Sequence, residues 1–220
     1  IGLEGFVTIG GDDTARNAAV IDKIVPCIHI PKTIDRDIWG TEETLGYHRF
    51  VRRASQDATA LELDAQSTER LYVTEVMGRD CGELTFGTFR HSRASMALIP
   101  ETPFNIEKLI EHIAGMNDPR GLLLVAEGAE DQDLMWRHAA DIIIFREALA
   151  SGGIIPQGLI DQHFPLPQID AFGNVKKGGI ADMVTFELQQ NLPQKMPIVR
   201  MPDLGYQYRS MDPLKADLDL

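Results

Sequence analysis

Two short stretches concentrate residue types that handle phosphate. Ile9-Gly10-Gly11-Asp12-Asp13-Thr14 sets a glycine pair beside two carboxylates. Between a strand and a helix, such glycines let backbone amides approach a phosphate, and the helix N-terminus favours an anion. A carboxylate in the same turn suits Mg²⁺, a hard cation that shares its oxygen ligands with substrate phosphates. The same residues also read as a plain turn with an aspartate capping a helix. The second stretch is Pro31-Lys32-Thr33-Ile34-Asp35-Arg36-Asp37. Two carboxylates one residue apart in a loop can divide the work of base and metal contact. Lys32 adds a compact cation for a phosphoryl group in transfer. By itself this is a solvated charged turn; beside the first stretch it points to chemistry.

These residues need strands behind them, and apolar runs supply candidates. Residues 5–9, 24–30, 71–76, 96–99 and 121–126 read as buried strands. Helices are expected over 13–23, from Thr41 through Tyr47, Val51, Ala54, Ala58, Leu61 and Ala65 at four-three spacing, and after Gly82. Further helices are expected over 104–116, with Asn105 as a cap, and over 133–150. Residues 152–179, rich in Gly and Pro, read as irregular. Strands alternating with helices of this length imply an α/β fold with a largely parallel sheet. Ligands then sit beyond the carboxyl ends of the strands, which is where the unusual residues fall.

Composition narrows the function classes. The 220 residues carry 33 acidic and 21 basic side chains, a formal charge of -12, with 44% apolar and 25% charged residues. These are globular proportions, which speak against disorder, collagen or a disulfide scaffold. The acidity disfavours an extended nucleic-acid footprint, though a few convergent cations can still bind an anionic small molecule. No apolar run has the length of a membrane span, and no basic-then-apolar leader opens the chain. With Cys27 and Cys81 as its only cysteines, the chain is expected in a reducing cytoplasmic setting. Its six histidines show no metal spacing, Cys81 reads as a buried thiol, and Trp39 and Trp136 read as packing residues.

Six motifs in order resemble the phosphofructokinase family. They are Gly10-Gly11-Asp12, Pro31-Lys32-Thr33-Ile34-Asp35, Glu75-Val76-Met77-Gly78-Arg79, Ile99-Pro100-Glu101, Ala126-Glu127-Gly128 and Leu204-Gly205-Tyr206-Gln207-Tyr208-Arg209. The resemblance implies a Rossmann-like, three-layer α/β fold with parallel sheets. Residues 1–46 would be the remnant of a donor domain, 47–205 a sugar-phosphate domain, and 206–220 the start of a return to the first. It also implies roles. Asp35 resembles the base that deprotonates the 1-hydroxyl of fructose 6-phosphate, with Lys32 and Thr33 holding the transferring phosphoryl group. Asp12 resembles the Mg²⁺-linked aspartate and Asp37 a supporting carboxylate, while Gly11 and Asp13 face the donor. Met77, Gly78, Arg79 and Glu127 fall at sugar-phosphate positions, and Arg209 and Tyr206 at 6-phosphate positions. Arg70 and Arg200 match arginines that reach the site from a neighbouring subunit, implying a homo-oligomer with shared active sites.

The donor is expected to be pyrophosphate. ATP-dependent members of the family generally carry glycine where this chain has Asp13, and Lys32 is typical of pyrophosphate users. A carboxylate there would meet the region of a nucleotide's α-phosphate. ATP-dependent transfer and a non-catalytic regulatory chain are the alternatives, the latter having no need of Asp35 or Lys32. Lipid and NAD kinases share the glycine-glycine-aspartate turn but lack the later motifs. The sequence departs from the family at Arg36, a bulky cation expected beside the base, at residues 89–93, and at Ser210-Met211. The family's amino-terminal strand and glycine-rich loop would precede Gly10, so a truncated chain with an incomplete first domain is the expectation.

Overall fold

The computed structural model describes residues 2–131, 179–192 and 195–209. The expected helix at 133–150, Trp136, Ser210-Met211 and all but the end of the 152–179 stretch lie outside them. Two parallel sheets organise the rest. In the first, β1 (Phe6–Gly10) pairs with β2 (Cys27–Pro31) in the register Phe6↔Cys27 to Gly10↔Pro31, connected by α1 (Asp12–Ile21). This register brings the two phosphate-type loops side by side at the strands' carboxyl ends. The backbone amide of Lys32 donates to Gly10 O at 2.8 Å and joins the loops directly.

β2 starts later than the apolar run suggests. Asp22 Oδ1 accepts from Cys27 N at 2.8 Å, and the amides of Ile24 and Val25 turn back to Ile21 O. Ile24 and Val25 therefore belong to a turn despite their strand-forming side chains.

The second sheet has four parallel strands in the order β4-β5-β3-β6: β3 (Leu71–Val76), β4 (Met96–Leu98), β5 (Gly121–Ala126) and β6 (Ile198–Arg200). Every residue of β3 and β5 is buried, as expected of central strands covered on both faces. Alternation divides their side chains. Tyr72, Val76, Leu122 and Leu124 pack against α2 (Tyr47–Ser67) and its neighbour α3 (Glu83–Arg90). Leu71, Val73, Leu123 and Val125 pack with α4 (Ile106–Gly115) and α5 (Ile180–Asn191) on the opposite face. The result is three layers, helix, sheet and helix.

α2 buries Tyr47, Val51, Ala54, Ala58 and Ala65, the spaced face read from the sequence, but it starts at Tyr47 rather than near Thr41. Gly46, at φ 115°, ends the preceding loop in a conformation that suits glycine. The side chain of Asn105 accepts from Lys108 N at 2.9 Å and caps α4 as expected. α5 and the three-residue β6 were not anticipated. Trp39, expected to pack, is 99% exposed. No helix among the described residues is long and apolar enough to cross a membrane.

Candidate active site

A cleft of about 1300 Å³ opens where the carboxyl ends of β1, β2, β3 and β5 meet. Its wall on the first sheet carries Gly11, Asp12, Asp13, Lys32, Thr33, Asp35 and Asp37. Met77, Arg79 and Glu127 line it from beyond β3 and β5, and Tyr206 and Arg209 from α6 (Tyr206–Arg209). Residues far apart in the chain thus share one cavity, polar on both sides.

The first wall is built by close packing of backbone. A Cβ added to Gly10 would collide with the side chain of Thr14. Gly11 caps α1, so Asp12 and Asp13 occupy the helix's first turn rather than capping it. Their charges suit the positive end of the helix, and Arg16, one turn on, pairs with Asp12 at 3.3 Å and Asp13 at 3.7 Å. No three His, Cys, Asp or Glu side chains among the described residues group closely enough to hold a metal alone.

Asp35 is the deepest carboxylate of this wall. Thr33 Oγ1 donates to its Oδ2 at 3.1 Å, and the amide of Asp35 donates back to Thr33 Oγ1 at 3.2 Å. Burial pushes the Asp35 pKa up, while the Thr33 hydrogen bond and the cations Arg209 and Arg79 pull it down. Asp37 is raised by partial burial and by the like charge of Asp35. Arg36 does not crowd the base: its guanidinium turns away, toward Glu43, Glu83 and the ring of Tyr47. Cys81 is half-buried rather than fully buried; its thiol donates to Asp35 O at 3.0 Å, and burial pushes its pKa up to about 12.

The second wall depends on the loop after β6, which extends the sheet. Leu204 N donates to Glu75 O at 2.8 Å, and Met77 N to Leu204 O at 3.2 Å. Next in the chain, Tyr208 stacks edge-on against Phe50, and its hydroxyl donates to Asp57 Oδ2 at 2.6 Å. α2 thereby fixes the short helix that carries Arg209. The Arg209 guanidinium lies 5.9 Å from the ring centre of Tyr206, itself 71% exposed at the rim. Arg79 bonds Asp80 through Nε at 2.8 Å. Gly78, at φ 133°, is outside the cleft lining, and a Cβ on Gly128 would meet the backbone of Arg79.

Glu127 titrates unusually. Burial, reinforced by the like charges of Glu75 and Asp35, pushes its pKa up to about 7. Glu75 is another lining residue, missed as a site candidate because its motif reads as strand. Its carboxylate accepts from Gly179 N at 2.9 Å and Ala181 N at 3.2 Å, capping α5. Arg49, from the first turn of α2, also lines the cleft; its helical surroundings gave no signal of that.

Arg70 and Arg200 are outside the lining. Arg70 is exposed just ahead of β3, at the strand end opposite the cleft. Arg200 closes β6 and is held by Asp203 at 2.6 Å and Asp182 at 3.2 Å.

Comparison with known proteins matches residues 1–218 to the family model described as "Phosphofructokinase". An ATP-dependent 6-phosphofructokinase of Mycobacterium bovis is 30% identical over 220 residues, covering 98% of this chain and 56% of the relative. A pyrophosphate--fructose 6-phosphate 1-phosphotransferase of Dictyoglomus thermophilum is 33% identical over 193 residues, covering 87% of this chain and 49% of the relative. The crystal structure of a pyrophosphate-dependent phosphofructokinase from Marinobacter aquaeolei superposes with a TM-score of 0.67 at 18% identity, over 99% of this chain and 48% of that one. This last likeness establishes the fold. The chain spans about half the length of these relatives.

Proposed function

The chain belongs to the phosphofructokinase family, and we propose that it carries the catalytic centre of a transfer from pyrophosphate to the 1-hydroxyl of fructose 6-phosphate. One observation carries this reading: on the wall of phosphate-type loops a largely buried carboxylate of raised pKa, Asp35, shares the cleft with a wall bearing Arg79 and Arg209. Phosphoryl transfer asks the protein mainly for alignment and charge stabilisation, and this arrangement offers both.

In the proposed reaction Asp35 takes the proton of the sugar's 1-hydroxyl as its oxygen bonds to the terminal phosphorus of pyrophosphate. The bridging P–O bond breaks, releasing orthophosphate and fructose 1,6-bisphosphate. Thr33 keeps Asp35 oriented through its 3.1 Å hydrogen bond. Lys32 lies where a cation meets charge on the transferring group, and Gly11 presents backbone to the donor. Met77 and Glu127 would seat the sugar, with Glu127 accepting from its hydroxyls, and Gly78, outside the lining, would shape the turn that presents Met77 and Arg79. Arg79, Arg209 and Tyr206 would face its phosphate. Arg70 and Arg200, outside this chain's own cleft, are assigned to the site of a neighbouring copy in a homo-oligomer. Residues 1–46 and 206–220 belong to the donor side in this reading, and 47–205 to the sugar side.

Mg²⁺ fits the donor set. Asp12 lies near enough to raise the pKa of both Asp35 and Asp37, and Mg²⁺ needs only one or two carboxylates beside water and phosphate oxygens. Asp12 would hold it with Asp37 in support, and when bound it neutralises charge on the phosphates.

Asp13 supports pyrophosphate as the donor. Like charges about 4 Å apart repel by roughly 4 kcal/mol at an effective dielectric of about 20. Asp13 is itself solvent-exposed and pairs with Arg16 at 3.7 Å, so the repulsion toward a nucleotide is reduced to about 1 kcal/mol, the size expected in water. The similarity to the Mycobacterium bovis relative favours ATP as the second reading. Steady-state assays with fructose 6-phosphate, comparing pyrophosphate with ATP, separate the two: turnover with pyrophosphate is expected, and turnover with ATP alone overturns the donor assignment.

A further inference from the structure

Arg36 stands at φ 59°, in the left-handed region that non-glycine residues enter uncommonly. Such a conformation persists where surrounding contacts over-determine it. Here they do. Arg36 Nε donates to Glu42 O at 2.8 Å, and the guanidinium pairs with Glu43 at 3.4 Å and Glu83 at 3.5 Å. It also lies 5.0 Å from the centre of the Tyr47 ring. Tyr47 in turn reaches the carbonyl of Glu83 through its hydroxyl at 3.4 Å. These partners sit on three separate pieces of chain: the loop before α2, the first turn of α2, and the first turn of α3.

The residues flanking Arg36 are Asp35 and Asp37, so any tilt of its backbone moves both carboxylates. From the segment that leads into α3, Cys81 donates to Asp35 O at 3.0 Å. Residues 81–83 therefore grip the loop at two points, through a thiol on one carbonyl and a carboxylate on the guanidinium next door.

We propose that Arg36 is a positioning residue: it braces the loop bearing Asp35 against α2 and α3, holding the carboxylate in the cleft at its working angle. The inference rests on the reading of Asp35 as the base. The brace explains why a cation can stand between two aspartates without quenching either. Its charge is spent on Glu43 and Glu83, behind the loop.

The test uses the full chain with Arg36→Ala, Arg36→Asn, Arg36→Lys and Glu83→Gln. Asparagine tolerates the left-handed conformation but cannot make the brace. Misplacement of a reacting group by about 1 Å can cost on the order of 100-fold. Arg36→Ala and Arg36→Asn should lower kcat about 10- to 100-fold while the KM for fructose 6-phosphate stays within about twofold. Arg36→Lys should recover part of the loss, and Glu83→Gln should show a smaller effect of the same kind.

A second readout needs no turnover. Alkylation by iodoacetamide, followed by peptide mass spectrometry, should quicken about tenfold at Cys81 in Arg36→Ala and stay unchanged at Cys27 in β2, because only a released thiol gains access. Full kcat and an unchanged Cys81 rate in Arg36→Asn would overturn the brace. If wild type turns over with neither donor, the functional reading fails, and the Cys81 rates alone decide the brace. If both thiols quicken together in Arg36→Ala, that variant has loosened throughout, and the same comparison in Glu83→Gln decides.

Discussion

The two sheets are written in nearly the same alphabet yet live in different surroundings. Phe6-Val7-Thr8-Ile9 and Ile28-His29-Ile30 are as strand-like as Leu122-Leu123-Leu124-Val125. In the four-stranded sheet these side chains are wholly buried, whereas Val7 is 60% and Ile28 67% exposed. Two layers of helix cover the larger sheet; α1 covers only part of the smaller one. Burying a large aliphatic side chain contributes about 1.5–3 kcal/mol, so stability concentrates around β3 and β5. The wall bearing Asp12, Lys32 and Asp35 is attached to that core through loop contacts such as Cys81 to Asp35 O, and the proposed chemistry depends on the less covered unit staying in register with the more covered one.

The sharpest break in this comparison comes from the less covered side. Asp35→Ala should reduce kcat by about 10²- to 10⁴-fold, the range for a positioned general base, with fructose 6-phosphate binding retained in calorimetry because the residues proposed to bind it stand on the other wall. Unchanged turnover would remove Asp35 from the chemistry. On the stability side the order should reverse. Leu123→Ala, in the middle of buried β5, should cost about 2–5 kcal/mol in urea denaturation. Val7→Ala, in exposed β1, should cost less than about 1 kcal/mol. Equal losses would mean that the two sheets are equally covered in solution.

Two smaller effects probe one wall each. Asp13→Gly removes the carboxylate facing the donor, and the ratio of kcat/KM for ATP to that for pyrophosphate should rise about tenfold. No change would weaken the pyrophosphate assignment. On the opposite wall, Glu127 has its pKa pushed up to about 7. Its carboxylate, the form that accepts from sugar hydroxyls, is present above that pH and lost below it. The KM for fructose 6-phosphate should therefore rise about tenfold between pH 8 and pH 6. Glu127→Gln should flatten that dependence; a profile unchanged by the substitution would assign the titration elsewhere.

Legibility followed the range of the interactions. β5 was readable to the residue because its unbroken apolar run lies between Arg120 and Glu127, and β3 because strand-forming Leu71, Tyr72, Val73 and Val76 frame Thr74 and Glu75. α2's buried face followed from its spacing, and Asn105 from its place ahead of an apolar periodicity. The start of β2 was misread because Asp22 recruits Cys27 N into a turn, overriding the preference of Ile24 and Val25. β6, with three residues, is too short for a pattern. α5 does repeat apolar residues at helical spacing, but it follows a glycine-rich stretch that masks its start. In the cleft, Asp12, Lys32 and Asp35 were singled out by residue type and spacing, and Arg79 and Glu127 only by the family resemblance. Arg49 and Glu75 were not, since a helix and a strand are where such residues are ordinarily structural.

What the sequence determined alone was local: which runs form strands, which face of α2 is apolar, and which loops hold phosphate-type residues. These depend on steric preference and spacing within a few neighbours. Only the tertiary structure decided that β1 and β2 stay exposed while β3 and β5 are buried, that Arg36 turns away from Asp35, and that Arg79, Glu127 and Arg209 converge across from it. Those outcomes rest on parallel pairings such as Leu71↔Gly121 and Val76↔Ala126, and on anchors such as Tyr208 to Asp57. Each joins segments whose meeting is set by packing over the whole core, and no local pattern records it.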